Sequence, residues 1–294
     1  MLDDKVMKVL REDNSYLGLC GPNNYLGVPF SDIRLNQLPE FRIGDSFQDY
    51  INRNWQSEVT KNPAIFDSPL VGTVPTSFRV VDGTLIIDVY PSSFKNMLAT
   101  SRAYVSRRSL HSIGHKGLFR FIHNDQFYLL FGIRNPNQVN IGGSIQAMPA
   151  GFLDLEDLTL ANPLNETLKR EYLEEVEQEG ESMDKKRERE ALSTYDELGK
   201  IFMGISWVYD YGNVDADTLL SNIYDGWVGK RHSISSGNGV VQIQKKRGRF
   251  AEHKVVIGVP QSDLADFIIE KNNHISIASR WLLRRAIELN EISI

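Results

Sequence analysis

A single cysteine, Cys20, stands in the 294 residues, so neither an intramolecular disulfide nor a cysteine-built zinc site can hold this chain together. No histidine lies near it in sequence, and Cys20 reads as a small buried residue rather than a nucleophile. None of the six histidines is read as a zinc ligand. There is no apolar run of about 18 residues that could cross a bilayer, and the stretch Met1 to Asp13 is too charged for a signal peptide. The expectation is a cytoplasmic protein without membrane contact. Positive charge is in deficit, with 33 Lys and Arg against 38 Asp and Glu and a net charge of -5, which argues against broad nucleic-acid binding. Internal repeats and low-complexity tracts are also missing. What is present is the composition of an ordinary folded protein, 41% hydrophobic and 24% charged. The length suits one large domain or two.

Hydrophobic patterning divides the chain. Residues 1 to about 75 are irregular and rich in Asn, Pro and Gly, with one helix expected from Ser46 to Val59. A hairpin follows, Thr76 to Val81 and Thr84 to Tyr90, around Asp82-Gly83, a dipeptide suited to positive φ. Pro91 to Ala103 reads as a helix. A second hairpin, Leu118 to His123 and Gln126 to Ile133, turns at Asn124-Asp125. A boundary is expected near residues 105 to 116, separating an N-terminal α+β domain (residues 1–110) from a second domain (111–294). Val139 to Ala147 is strand-like. Glu179 to Leu198 is a charged insertion with helix-like character from Asp184 to Glu197. Lys200 to Tyr209 and Val255 to Val259 read as strands, Val214 to Gly239 as a candidate lid, and Ile275 to Leu289 as a packed helix. Strands on either side of an acidic helix suit an α+β fold with a mixed sheet between helices. Lys245-Lys246-Arg247-Gly248-Arg249 is read as a solvated loop, with phosphate contact as the functional alternative.

The chemistry concentrates in Arg170-Glu171-Tyr172-Leu173-Glu174-Glu175. Asn162-Pro163 is a good N-cap and first-turn pair, so a helix should run from about Pro163 to Val176. On it Glu171, Glu174 and Glu175 are neighbours at i, i+3 and i+4, beside an apolar stripe of Leu164, Leu168, Tyr172 (or Leu173) and Val176. Three adjacent carboxylates repel unless a cation sits among them, and oxygen ligands suit Mg²⁺ or Mn²⁺ bridging to phosphate. The competing reading is a solvated Glu-rich surface.

Upstream stands Met148-Pro149-Ala150-Gly151-Phe152-Leu153-Asp154. This turn, followed by a loop and a helix carrying Arg170, Glu171, Glu174 and Glu175, resembles the Nudix hydrolase box. The match departs from the family pattern in two ways. Eighteen residues stand between Gly151 and Arg170, more than the pattern has, so Leu155 to Ala161 looks inserted and the outlying Glu falls on Asn162. The Gly after the helix falls on Glu177, with Gly180 displaced. Trp55 to Pro69, including Asn62-Pro63-Ala64-Ile65-Phe66-Asp67-Ser68-Pro69, and Tyr90 to Arg102 are similar to the UDP-sugar-hydrolysing branch with an extra N-terminal domain.

The resemblance implies a Nudix-type α/β/α sandwich and a Mg²⁺-dependent or Mn²⁺-dependent pyrophosphohydrolase. Its substrate would be a nucleoside diphosphate linked to another moiety, with UDP-sugar to UMP plus sugar 1-phosphate first. ADP-ribose or a dinucleotide is the rival substrate, and a non-catalytic nucleotide-binding module the rival class. Glu171, Glu174 and Glu175 would be metal ligands, with the Gly151 carbonyl a further one and Glu174 and Glu175 catalytic. Arg170 would orient the carboxylates. Glu252 is the candidate distant acid, with Asp225 as alternative. Arg134 and Arg120 are candidate phosphate contacts. Tyr90, Phe94, Trp207, Tyr209 and Trp227 are candidates to stack on a base, though strand aromatics are more often core. A homodimer is also implied.

Overall fold

The computed structural model describes residues 2–11, 32–61, 63, 65–74, 78–102, 110–123, 125–135, 143–164, 166–167, 170–171, 192–197, 200–205, 208–213, 232–233, 241–244, 253–288, 290 and 292–294. They form the expected α+β arrangement, with parallel and antiparallel pairs in both large sheets. Among them no helix is long and apolar enough to cross a membrane.

The first sheet is built from β1 (Ile33–Gln37), β2 (Pro69–Thr73), β3 (Arg79–Val81), β4 (Thr84–Ser93) and β5 (His111–Ser112). Its order is β1-β4-β2-β5, with β3 also on β4. The expected turn is there, with Asp82 and Gly83 at φ +50° and +80°. Leu85, Ile87 and Val89 alternate inward along β4, the period of two that a half-buried strand requires. Strand β4 runs through Pro91 to Ser93, so the following helix, α3 (Phe94–Arg102), starts later than the sequence pattern indicates. Pro91 lies opposite Val71 in the β2 pairing. Helix α2 (Asp45–Lys61) agrees with expectation, and its Trp55 meets Phe94 edge-on, centroids 6.5 Å apart. Asp88 fastens three strands, accepting from Arg79 on β3 and Asn36 on β1, each at 2.6 Å.

The second sheet follows the order β13-β7-β8-β16-β15-β14, with β9 on β8. Its strands are β7 (Leu118–His123), β8 (Gln126–Arg134), β9 (Ile145–Ala147), β13 (Val208–Asn213), β14 (His232–Ser233), β15 (Val241–Gln244) and β16 (His253–Pro260). Strand β13 runs parallel to β7 and gives the sheet its mixed character. Two shorter ribbons pair β6 (Gly114–Lys116) with β10 (Ala150–Phe152), and β11 (Leu192–Glu197) with β12 (Lys200–Ile205). Leu192–Glu197 is therefore a strand where the charge pattern suggests a helix. Its pairing with β12 outweighs the helical propensity of a charged segment.

Leu129 and Phe131 on β8, Ile145 and Ala147 on β9, and Val255, Ile257 and Val259 on β16 share one buried cluster. Helices α4 (Leu264–Lys271) and α5 (Ile277–Glu288) cover it. Helix α1 (Leu2–Arg11) joins them, inserting Val6 and Leu10, an i, i+4 pair, into the same cluster. Neither α1 nor α4 is read from the sequence pattern. The start of α5 is stitched to β9: Ser276 N–H donates to Ile145 O at 2.8 Å, and Ala147 N–H donates to Ser279 Oγ at 2.8 Å. These bonds satisfy main-chain groups of β9 that point away from β8.

Two outcomes test this packing. Leu10→Ala should lower the unfolding free energy in urea by about 2 to 3 kcal/mol, as for a leucine truncated in a packed core; an unchanged midpoint would mean that α1 is not docked. The Arg79 hydrogen bond, foremost among the causes, holds the Asp88 carboxyl below its ordinary value. A depressed carboxyl contributes stability above its unfolded-state pKa, about 3.9, and that contribution is lost as pH falls through the lower folded value. The drop in thermal midpoint caused by Asp88→Asn should thus be present at pH 7 and shrink in acid.

Candidate functional site

Ribbon β6–β10 places the site. Its register sets Gly151 opposite His115 and Ala150 opposite Lys116. The turn before it is held by Gly117 N–H donating to Pro149 O at 2.7 Å. After the ribbon, Leu153 N–H donates to Ile113 O at 3.0 Å, and a 3-10 turn, Glu156–Thr159, occupies the lengthened loop. The acidic helix then starts as its caps dictate: Glu166 N–H donates to Asn162 O at 3.0 Å, with Pro163 as its first helical residue. Helical residues are described at 163–164, 166–167 and 170–171. Leu164, Thr167 and Glu171 face inward, spaced at the helical repeat.

Glu171 is only 8% exposed, and its carboxylate lies directly over Gly151, where a Cβ would overlap it. This close approach of backbone and acid explains the glycine. Arg170, beside it, spreads its guanidinium over four acceptors. Nη1 donates to Glu171 Oε1 at 2.9 Å, and Nη2 lies 3.1 Å from Phe152 O, 3.1 Å from Asp154 Oδ2 and 3.3 Å from Asp157 Oδ2. The expected orienting role of Arg170 toward Glu171 thus has a geometry.

Asp154 and Asp157 are missing from the sequence reading. Asp157 is buried, accepting from Asp154 N–H at 3.0 Å, and Thr167 Oγ1 stands 2.7 Å from its Oδ2. Counting back from Arg170 puts the outlying acid on Asn162, which in the structure is the helix cap. Counting forward from Gly151 lands on Asp157, the residue that reaches Arg170. On the resemblance, the extra residues would then fall after Asp157, between it and the helix.

Glu174, Glu175, Glu252, Asp225, Trp207 and Trp227 lie outside the described residues, as do Cys20 and the Lys245 to Arg249 run. Of the expected metal ligands, the structure brings together Gly151 and Glu171. Among the described residues no three His, Cys, Asp or Glu side chains converge to hold a metal. Asp154, Asp157 and Glu171 all face the Arg170 guanidinium, and carboxylate oxygens are the donor type that a hard divalent cation takes.

Arg120 and Arg134 are not brought to one face. In the β7–β8 register Arg120 pairs with Leu129, and its guanidinium lies 4.7 Å from the Phe127 centroid. Arg134, five residues beyond Leu129 on β8, falls on the opposite face by strand alternation. It is paired with His253 and donates its N–H to Ser144 O at 2.9 Å. Tyr90 meets Phe41 and Phe94 meets Trp55 edge-on, and all four rings are partly buried.

No family model and no curated protein matches the chain. Among solved structures it is similar to the NUDIX domain of Shewanella oneidensis NrtR complexed with ADP ribose, at 14% identity over 61% of this chain and 88% of that one, TM-score 0.37. It is also similar to a bifunctional NMN adenylyltransferase/ADP ribose pyrophosphatase complexed with AMP and a Mn ion from Francisella tularensis, at 13% identity over 61% of this chain and 42% of that one, TM-score 0.37. A third is a Nudix hydrolase from M. smegmatis, RenU, at 12% identity over 64% of this chain and 94% of that one, TM-score 0.38. At this level of superposition the likenesses carry no argument about chemistry, which rests on the residues.

The overlap between Gly151 and Glu171 makes a non-additive pair. Gly151→Ala alone should cost roughly 1 to 3 kcal/mol of stability through overpacking. In a Glu171→Ala background the same change should cost far less, a coupling that a double-mutant cycle in urea measures directly. Equal costs in both backgrounds would separate the two residues.

Proposed function

We propose that this protein is a divalent-metal-dependent pyrophosphohydrolase of the Nudix type, acting on a nucleoside diphosphate linked to another moiety. The observation that carries the reading is the buried Glu171 carboxylate lying on Gly151 and tied to Arg170. An acid taken out of water is unfavourable unless a partner compensates it, and a solvated Glu-rich helix has no reason to bury one. It brings together Gly151, Arg170 and Glu171, residues on which the resemblance rests.

In this reading Glu171, with Glu174, Glu175 and the Gly151 carbonyl, would hold Mg²⁺ or Mn²⁺. The bound ion supplies charge neutralisation at the phosphate oxygens and lowers the pKa of an attacking water. The chain's own part is positional. Arg170 presents Glu171 in one orientation, and the Asp154 and Asp157 carboxylates keep Arg170 from folding away into solvent. The lengthened loop supports turnover rather than its loss, since the 3-10 turn returns an acid to Arg170. That favours an enzyme over a binding module.

The leading substrate is a UDP-sugar, cleaved to UMP and a sugar 1-phosphate, on the strength of the Trp55 to Pro69 and Tyr90 to Arg102 segments. Those segments belong to the N-terminal layer, and we propose a domain of about residues 1–110 beside a catalytic domain of 111–294, with α1 crossing over to dock in the core of the second and β5 pairing in the sheet of the first. The protein is taken to work in the cytoplasm, as a homodimer.

The test is release of UMP and glucose 1-phosphate from UDP-glucose with Mg²⁺, beside ADP-ribose. Glu171→Gln should reduce turnover by roughly a hundredfold with the fold intact by circular dichroism. Turnover of ADP-ribose alone would replace the substrate and keep the chemistry. Absence of turnover on either, with Mg²⁺ or Mn²⁺, would sink the hydrolase reading.

A further inference from the structure

We infer that strand β2 of the N-terminal sheet and Asp154 form a brace that fixes the position of Glu171, making Asp154 a positioning residue and the N-terminal layer a working part of the site. The inference builds on the proposed function and adds a mechanical link to it.

The link can be followed bond by bond. Val71 on β2 donates its N–H to Leu153 O at 2.9 Å, Leu153 donates to Ile113 O at 3.0 Å, and Ile113 donates back to Val71 O at 3.1 Å. All three residues are fully buried, so water cannot replace these bonds, and breaking one leaves an unsatisfied group in the interior. Leu70 forms an antiparallel bridge with Asp154. The main chain at Leu153 and Asp154 is therefore an extension of the N-terminal sheet. From there Asp154 Oδ2 reaches Arg170 Nη2 at 3.1 Å, and Arg170 Nη1 holds Glu171 Oε1 at 2.9 Å. Every step is a hydrogen bond or an ion pair, and the last two residues are adjacent in the chain.

A bland reading competes. The Asp154 side chain is 36% exposed and that of Arg170 is 30% exposed, and an ordinary surface ion pair contributes little. What separates Asp154 from such a pair is its main chain. Its backbone is held by β2 on one side, and its N–H is held by the buried carboxylate of Asp157 on the other. A carboxylate on so fixed a backbone has little orientational entropy left to lose, so its grip on Arg170 is prepaid. Disturbance of β2 is transmitted to the acid.

Asp154→Asn, which keeps size and removes charge, is compared with wild type by three readouts on the full chain. Mn²⁺ affinity, titrated by electron paramagnetic resonance with the metal alone, should fall on the order of tenfold, the usual range for residues that orient a ligand. Amide exchange should speed up by a similar factor both in the peptide spanning residues 163–171 and in that spanning 69–73. Turnover should fall in kcat with KM little changed, and Asp154→Glu should recover part of each loss. Exchange unchanged in either peptide overturns the brace. If wild type neither binds Mn²⁺ nor turns over nucleotide, the hydrolase reading fails, while the two exchange readouts still decide for or against the brace.

Discussion

One guanidinium holds the candidate site together. Arg170 is shared by three carboxylates and one main-chain carbonyl, which come from β10, the 3-10 loop and the acidic helix. A guanidinium suits this work because its donors are fixed in one plane and it stays charged at any working pH. Replace it by a lysine and a single ammonium would have to choose among acceptors that diverge. The burial of Asp157, the approach of Glu171 to Gly151 and the shape of the lengthened loop all presuppose that cation. Without it three acids would repel one another across a few ångströms in a partly dry setting.

Around this point the molecule is arranged to keep the ribbon β6–β10 stationary. One side of the ribbon leads through Ile113 and Leu153 into the N-terminal sheet. The other leads through Pro149 and Ala147 to β9, which is fastened to α5 by Ser276 and Ser279. The Glu171 carboxylate thus rests on a backbone clamped from two sheets at once.

Much of this was legible in the residues. Asp82-Gly83 and Asp125 announce their hairpins because few residues accept positive φ. Asn162-Pro163 announces the helix start because its chemistry is local. Gly151, Arg170 and Glu171 were legible through their type and order. Asp154 and Asp157 were not, since an insertion shifts every count made from one end of a motif, and only the fold shows where the extra residues are absorbed. Leu192–Glu197 was misread because pairing with β12 is decided by a neighbour and not by its own charges. Helix α1 was missed for a related reason: a ten-residue helix is marginal alone, and it exists because α4 and α5 offer Val6 and Leu10 a place to be buried.

That last contact has a consequence for how the chain comes to be folded. Val6 and Leu10 share a core with Leu282, Leu283, Ala286 and Ile292, so this apolar cluster is completed by residues far apart in the sequence. Such contacts are the slowest to form, because nearly the whole chain must be closed into a loop before they are rewarded. During synthesis the N-terminal helix would emerge long before its partners exist. A chaperone, or a truncated nascent chain exposed to protease, should find that helix undocked until the residues from Leu282 to Ile292 have left the ribosome.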